Sequence, residues 1–248
     1  MNTAVDQTEN TASGTTALDG KTLDDKTIVR EYFNATGFDR WRRIYGDGEV
    51  NFVQKNIRIG HQKTIDTVVG WLKDDGNLNQ ISLCDAGCGV GSLSIPLAEA
   101  GAKSIAASDI SEMMVGEGQK RAAETLGESN AITFEAKDLE EITGQYHTVI
   151  CLDVLIHYPP EKAGEMIKNL SAHADERFIL SFAPKTCFYA TLKKVGEFFP
   201  GPSKATRAYL HPEKYLVQLL AENGWKVQRN TICKAPFYFS RLLELTKA

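Results

Sequence analysis

Apolar side chains in the first quarter of the chain recur three and four positions apart. Ile28, Val29, Tyr32 and Phe33 follow Asp24 and Asp25, either of which can cap a helix. The stripe Val53, Ile57, Ile65, Val68, Val69 and Leu72 predicts a second helix over 51–73. Between the two lies Phe38-Asp-Arg-Trp-Arg-Arg-Ile-Tyr-Gly46, an aromatic and basic segment that ends at glycine.

From residue 81 onward strand-like and helix-like segments alternate. Runs over 81–85, 103–109, 131–136, 148–153 and 177–182 read as strands, and helical patterns cover 92–101, 111–125, 160–172 and 212–223. Strands joined by helical crossovers pair in parallel, so the fold class is α/β, a Rossmann-like doubly wound sheet. Two final runs, 225–229 and 237–245, have no helix between them. They form a hairpin, which makes seven strands and inserts the last one antiparallel to its neighbours. Residues 183–211 are too long for a simple connection and read as a lid or substrate-recognition insertion, with a helix over 190–199. The chain thus divides into a tail over 1–22, a helical addition over 23–75 that caps the site, and an α/β domain over 76–248.

Composition narrows the classes. The tail is rich in Thr, Asn and Ser and should be disordered; it resembles neither a transit peptide nor a secretory signal. With 42% apolar and 24% charged residues, the 248-residue chain suits one globular domain with additions. A net charge of −4 argues against nucleic acid as a partner. No apolar run approaches the roughly 20 residues that span a bilayer, so any membrane contact should be peripheral and the location cytoplasmic. The five cysteines, Cys84, Cys88, Cys151, Cys187 and Cys233, include no C-x-x-C pair and read as buried and reduced; no metal site is expected.

The chemistry centres on Ile81-Ser-Leu-Cys-Asp-Ala-Gly-Cys-Gly-Val-Gly91, a strand that runs into a glycine turn. Glycines there permit positive φ and close approach of a ligand to the backbone. A dinucleotide fingerprint fails, because the sixth residue from Gly87 is Ser92 and Gly91 comes one place early. Asp85 before the glycines, Asp109 ending the second strand and Asp138 after the third point instead to S-adenosylmethionine. That cofactor needs a ribose acceptor and has no pyrophosphate to cradle.

Asp85-Ala-Gly-Cys-Gly-Val-Gly91, Asp109 and Asp138-Leu139 together resemble the motifs of class I S-adenosylmethionine-dependent methyltransferases. The resemblance implies that Gly87, Cys88, Gly89 and Gly91 face the methionine portion and that Asp109 takes the ribose hydroxyls. It also implies that Ile110 and Leu139 pack on adenine and that Asp138 accepts from its amine; Leu152 and Asp85 are counted as further cofactor contacts. Outside these motifs, segments 39–46, 151–159, 180–185 and 199–204 resemble the magnesium protoporphyrin IX methyltransferases of chlorophyll biosynthesis, in the cyanobacterial form. That likeness covers the chain from Asp24 onward. It implies methylation of one propionate of magnesium protoporphyrin IX and magnesium chelatase's large subunit as a partner.

A propionate should titrate near about 4.3, so it is ionised at neutral pH and needs no general base. His157 and Tyr45 are the expected active-site residues, as positioning groups; helix capping and aromatic packing are the plainer readings of the two. One of Arg40, Arg42, Arg43, Lys204 and Arg207 is expected to hold the spectator propionate, and Phe182, Phe188, Tyr189, Phe198, Phe199 and Tyr209 to wall the macrocycle. Lys193 and Lys194 beside Phe198 and Phe199 could mark peripheral contact with the photosynthetic membrane. A quinone or phenol O-methyltransferase would share the cofactor motifs but not the flanking segments, and a non-catalytic cofactor-binding regulator would share only the fold.

Overall fold

The computed structural model of the chain describes residues 17–18, 21–22, 24–46, 48–129, 131–185 and 209–248. Most of the tail therefore lies outside the described residues, as does most of the 183–211 insertion with its expected helix. At the end of the tail Ala17 pairs with Thr22 and Leu18 with Lys21 in a short antiparallel ribbon.

Three helices precede the sheet: α1 (Asp25–Asn34), α2 (Thr36–Ile44) and α3 (Phe52–Asp74). Asp24 caps α1, its side chain accepting from the Thr27 amide at 2.7 Å. Asn51 and Gln54 close α3 with reciprocal bonds of 2.9 and 3.3 Å, a capping box. The core then runs β1 (Ser82–Ala86), α4 (Ser94–Glu99), β2 (Ser104–Asp109), α5 (Glu112–Leu126), β3 (Ile132–Ala136) and β4 (Tyr146–Cys151). It continues with α6 (Pro160–Ala172), β5 (Ala174–Phe182), α7 (Glu213–Glu222), β6 (Trp225–Ala235) and β7 (Tyr238–Lys247).

The sheet order is β3-β2-β1-β4-β5-β7-β6, with β7 antiparallel to both neighbours and the other pairings parallel. This is the expected Rossmann-like α/β fold. Several strand limits differ from the pattern, β5 for instance beginning at Ala174. β4 stops at Cys151 because Asp153 turns the chain at φ +57°, and the terminal hairpin is longer on both sides, turning at Phe237 with φ +65°.

Alternation along the strands divides the core between the two faces of the sheet. Leu83, Ile105, Ile150, Ile179 and Leu242 pack with Ile65, Val68 and Leu72 of α3. Cys84, Val149, Phe178, Leu180 and Leu243 pack with Met166, Ile167 and Leu170 of α6 and Leu216 and Leu220 of α7. Phe182 belongs to the second set and is fully buried, so it packs the core and does not wall a substrate cavity as expected. Val53, counted in the α3 stripe, is exposed, as is Phe52 beside it, whose ring meets Phe237 edge-on at 6.2 Å.

Candidate active site

The parallel strands end together, and the segments that follow them line a cavity. Its walls include Asp85, Gly87, Cys88 and Gly89 after β1, Asp109 and Ile110 after β2, Asp138 and Leu139 after β3, and Leu152, Asp153 and His157 after β4. Val29 and Phe33 of α1, Tyr45 after α2, and His61 and Ile65 of α3 also line it. Every residue expected to meet the cofactor is in this lining except Gly91. That glycine turns the chain at φ +78°, its amide donating to the Cys88 carbonyl at 2.9 Å.

The turn after β1 is held by backbone bonds. The amides of Gly87 and Cys88 both donate to the Ser108 carbonyl, at 2.7 and 2.9 Å, so β2 sets the turn's position. Gly87 has φ +86°, and a Cβ there would lie 2.1 Å from Val154 Cγ2. Asp109 accepts from the amides of Gly89 (3.0 Å) and Ser111 (2.9 Å); burial nevertheless pushes its carboxyl above the usual range. Asp85 is fixed by Ser94 Oγ at 2.5 Å and is pushed by burial up to about 6. Asp138 accepts from the Glu140 amide at 2.9 Å and pairs with Lys26 at 3.1 Å.

A second, wider and mostly apolar cavity adjoins the first. Trp41, Ile57, Ile156, Ala183, Pro184, Leu210 and the hairpin residues Phe237, Tyr238, Phe239 and Ser240 line it, and Tyr45, Asp153 and His157 line both cavities. The two residues expected to be catalytic therefore stand at the junction.

Tyr45 caps α2 one helical turn after Trp41, its ring tilted against that of Trp41 at 5.3 Å and that of His61 at 4.3 Å. Two arginines hold the end of this helix, where carbonyls lack partners and carry partial negative charge. Arg58 donates to the carbonyls of Ile44 (2.8 Å), Arg43 (2.7 Å) and Gly48 (2.8 Å), and Arg121 to those of Tyr45 (2.8 Å) and Arg42 (3.1 Å). Burial, aided by the Asp153 charge, pushes the Tyr45 phenol well above its ordinary value.

His157 ends a short 3₁₀ turn, Leu155–His157, whose Leu155 carbonyl accepts from His211 Nε2 at 2.8 Å. The ends of the insertion meet beside it: Pro184 bridges His211, and the Tyr209 amide donates to Ile156 at 2.7 Å. Its ring lies edge-on to Phe33 at 5.2 Å, and burial lowers it to about 4, so it is neutral at physiological pH.

Asp153 was not foreseen, yet it joins three elements. It accepts from His61 Nδ1 (2.8 Å), Tyr238 Oη (2.8 and 3.1 Å), Ser181 Oγ (3.0 Å) and Ser240 Oγ (3.3 Å). Burial works against its charge, but the bonds from His61, Tyr238 and Ser181 hold the carboxyl below the usual range. His61 was overlooked too, although a signal was present: with Ile57 and Ile65 it falls on the apolar stripe of α3, where a polar side chain is out of place.

Of the expected cations, the three among the described residues, Arg40, Arg42 and Arg43, do not line either cavity. Arg42 lies over Phe38 at 5.6 Å and 3.5 Å from Asp39, Arg43 Nε donates to the Asp39 carbonyl at 3.1 Å, and both are exposed outside the two linings. Helical geometry is the reason, since the face carrying Trp41 and Tyr45 turns residues 42 and 43 away. Lys204, Arg207, Phe188, Tyr189, Lys193, Lys194, Phe198 and Phe199 lie outside the described residues.

Known proteins resemble both halves of the chain. A family model described as magnesium-protoporphyrin IX methyltransferase C-terminus matches residues 151–247, and one described as methyltransferase domain matches residues 83–176. Magnesium-protoporphyrin O-methyltransferase of Synechocystis is 61% identical over 91% of this chain and 98% of its own. The chloroplastic magnesium protoporphyrin IX methyltransferase of Arabidopsis thaliana is 55% identical over 89% of this chain and 70% of its own. A crystal structure of the Synechocystis enzyme with bound S-adenosylhomocysteine superposes with a TM-score of 0.84 at 59% identity, covering 90% of this chain and all of that one. Such identity over nearly the whole length has one meaning: the chain belongs to the magnesium-protoporphyrin O-methyltransferase family.

Proposed function

We propose that this chain transfers a methyl group from S-adenosyl-L-methionine to a propionate carboxylate of magnesium protoporphyrin IX, giving the monomethyl ester and S-adenosyl-L-homocysteine in chlorophyll biosynthesis. One observation carries the reading: an acid-rich cavity at the glycine turn and a wider apolar one share Tyr45, Asp153 and His157. The first suits a cationic nucleoside and the second a flat macrocycle. In this reading Asp109 takes the ribose hydroxyls, Asp138 the adenine amine, Ile110, Leu139 and Leu152 the faces of the base, and the turn at Gly87, Cys88 and Gly89 the methionine portion.

The chemistry asks little of acids and bases. A propionate is already the nucleophile at neutral pH, and transfer from a sulfonium to a carboxylate cancels charge. Catalysis then rests on alignment at the junction and on keeping water away. A protonated Tyr45 and a neutral His157 fit that role, since neither is poised to accept a proton from an acceptor that has none to give. Asp153 is engaged by four side chains and serves to hold the junction together. The residues over 23–75 act as a cap in this scheme.

The exposed Phe52 and Phe237 support delivery of an apolar acceptor from a protein or bilayer surface, with magnesium chelatase's large subunit and a photosynthetic membrane as the sources. No helix among the described residues is long and apolar enough to cross a membrane. The test is incubation with S-adenosylmethionine and magnesium protoporphyrin IX, with protoporphyrin and a quinol as parallel acceptors, followed by mass detection. A monomethyl ester of the magnesium porphyrin is expected, and its absence, or preferential methylation of the quinol, overturns the reading.

A further inference from the structure

The tip of the β6–β7 hairpin departs from turn chemistry and from burial at the same residue. Ala235 pairs with Tyr238, so Pro236 and Phe237 alone make the turn. Phe237 holds φ +65°, a conformation that turns give to glycine or asparagine because a Cβ is crowded in it. Its ring is also 58% exposed, so burial within the fold does little to offset the strain. Strained residues of this kind persist where their surroundings fix them, and they gather at binding and catalytic sites.

The surroundings do fix this one. Tyr238, the next residue, lies against Gly60 of α3 and bonds through Oη to Thr64 and Asp153, at 2.8 Å each. The base of the turn is thereby tied to the junction of the two cavities. Phe52, the first residue of α3, meets the Phe237 ring edge-on at 6.2 Å. The ring is itself part of the wall of the apolar cavity, which shares Tyr45, Asp153 and His157 with the acid-rich one. A propionate that reaches the junction leaves its flat macrocycle in the apolar cavity, against that wall. Aromatic rings packed offset or edge to face gain more than their buried area alone supplies.

We propose that Phe237 is a substrate-binding residue whose ring packs on the macrocycle of the methyl acceptor, held in the cavity wall by the strained turn. The proposal rests on the reading of the apolar cavity as the acceptor's site and adds a named contact for the macrocycle, away from the reacting carboxylate.

The test titrates magnesium protoporphyrin IX, followed by its own fluorescence in vesicle-free buffer, into the full chain and into Phe237→Gly, Phe237→Asn and Phe237→Tyr. Glycine and asparagine suit the positive φ but remove the ring, and both variants should bind the porphyrin about tenfold more weakly. Phe237→Tyr keeps the ring and should bind like the parent. S-adenosylhomocysteine, titrated calorimetrically, should bind all four proteins alike. The urea midpoints of the glycine and asparagine variants should equal or exceed the parent's, because the strain is relieved while an exposed ring is lost. A ring with only a structural role gives the opposite pattern, and midpoints that fall in both variants overturn the proposal. Porphyrin affinity unchanged in both variants overturns it as well. So does loss confined to sedimentation with vesicles of equal parts phosphatidylcholine and phosphatidylglycerol, which assigns the ring to a membrane. A parent protein that does not bind the magnesium porphyrin overturns the reading of the cavity itself, a failure distinct from equal binding by parent and variants.

Discussion

Two groups lining the acid-rich cavity respond to acid in opposite ways. His157 has a folded pKa of about 4 against an ordinary 6.5, so the unfolded chain takes up its proton first as pH falls. Its contribution is complete above about 6.5 and is lost progressively toward about 4. Asp85 has a folded pKa of about 6 against 3.8, so it costs stability as pH rises through that interval and offsets part of the histidine's effect. The comparison that isolates His157 is urea unfolding of the parent and His157→Gln at pH 7.0 and 5.0. The parent should lose on the order of 1–2 kcal/mol more than the variant between these pH values. Equal losses would mean that the imidazole is not buried as the geometry has it. The same variant should lower turnover at saturating porphyrin, because the group stands where donor and acceptor meet.

Among the elements, α3 and the β6–β7 hairpin depend on each other through one small residue. A Cβ on Gly60 would lie 2.2 Å from Tyr238 Cδ1, so the glycine lets the tyrosine ring lie against the helix. There Tyr238 Oη meets Thr64 Oγ1 at 2.8 Å and Asp153 Oδ2 at 2.8 Å. Gly60→Ala should therefore cost about 1–3 kcal/mol despite the better helix propensity of alanine, by forcing the ring out of its slot. Chemical denaturation measures this, and a stabilised Gly60→Ala would contradict the packing. Combining it with Tyr238→Ala should cost less than the sum of the two single changes, since the clash has no second partner once the ring is gone.

At the scale of the whole molecule, the inserted last strand carries a buried acid that fastens the sheet to α3. Glu244 on β7 is 1% exposed and pairs with Arg177 of β5 at 3.1 Å and with Arg229 of β6. The two arginines reach Asp75 at the end of α3, at 2.7 and 3.1 Å. Removing a single member strands buried charge, so Glu244→Ala should destabilise the protein by about 3–5 kcal/mol. The loss should be nearly independent of salt because the group is shielded from solvent. A loss below about 1 kcal/mol in urea would place the cluster with exposed ion pairs, which contribute little.

The legible part of this protein was what repeats within a short window. Alternation of apolar residues identified the strands, the order strand–helix–strand implied the parallel sheet, and the missing helix after 229 gave the antiparallel insertion of β7. The glycines and acids from Asp85 to Asp138 were readable for the same reason, because each sits at a strand end that its own neighbours define. Tyr45 and His157 were singled out by their place in the chain order. The junction itself was not legible. Asp153 meets His61 across 92 residues, Tyr238 across 85 and Ser181 across 28, and no periodicity records a hydrogen bond between residues so far apart. Arg42 and Arg43 stood out because a basic cluster is local, whereas the face of α2 that meets the cavity is decided by packing on α3 and α5. Sequence alone therefore determined the elements, their order and the methyl donor, through short-range sterics and the period of burial. Only the tertiary structure decided which polar groups share one space, because that depends on how separate elements pack.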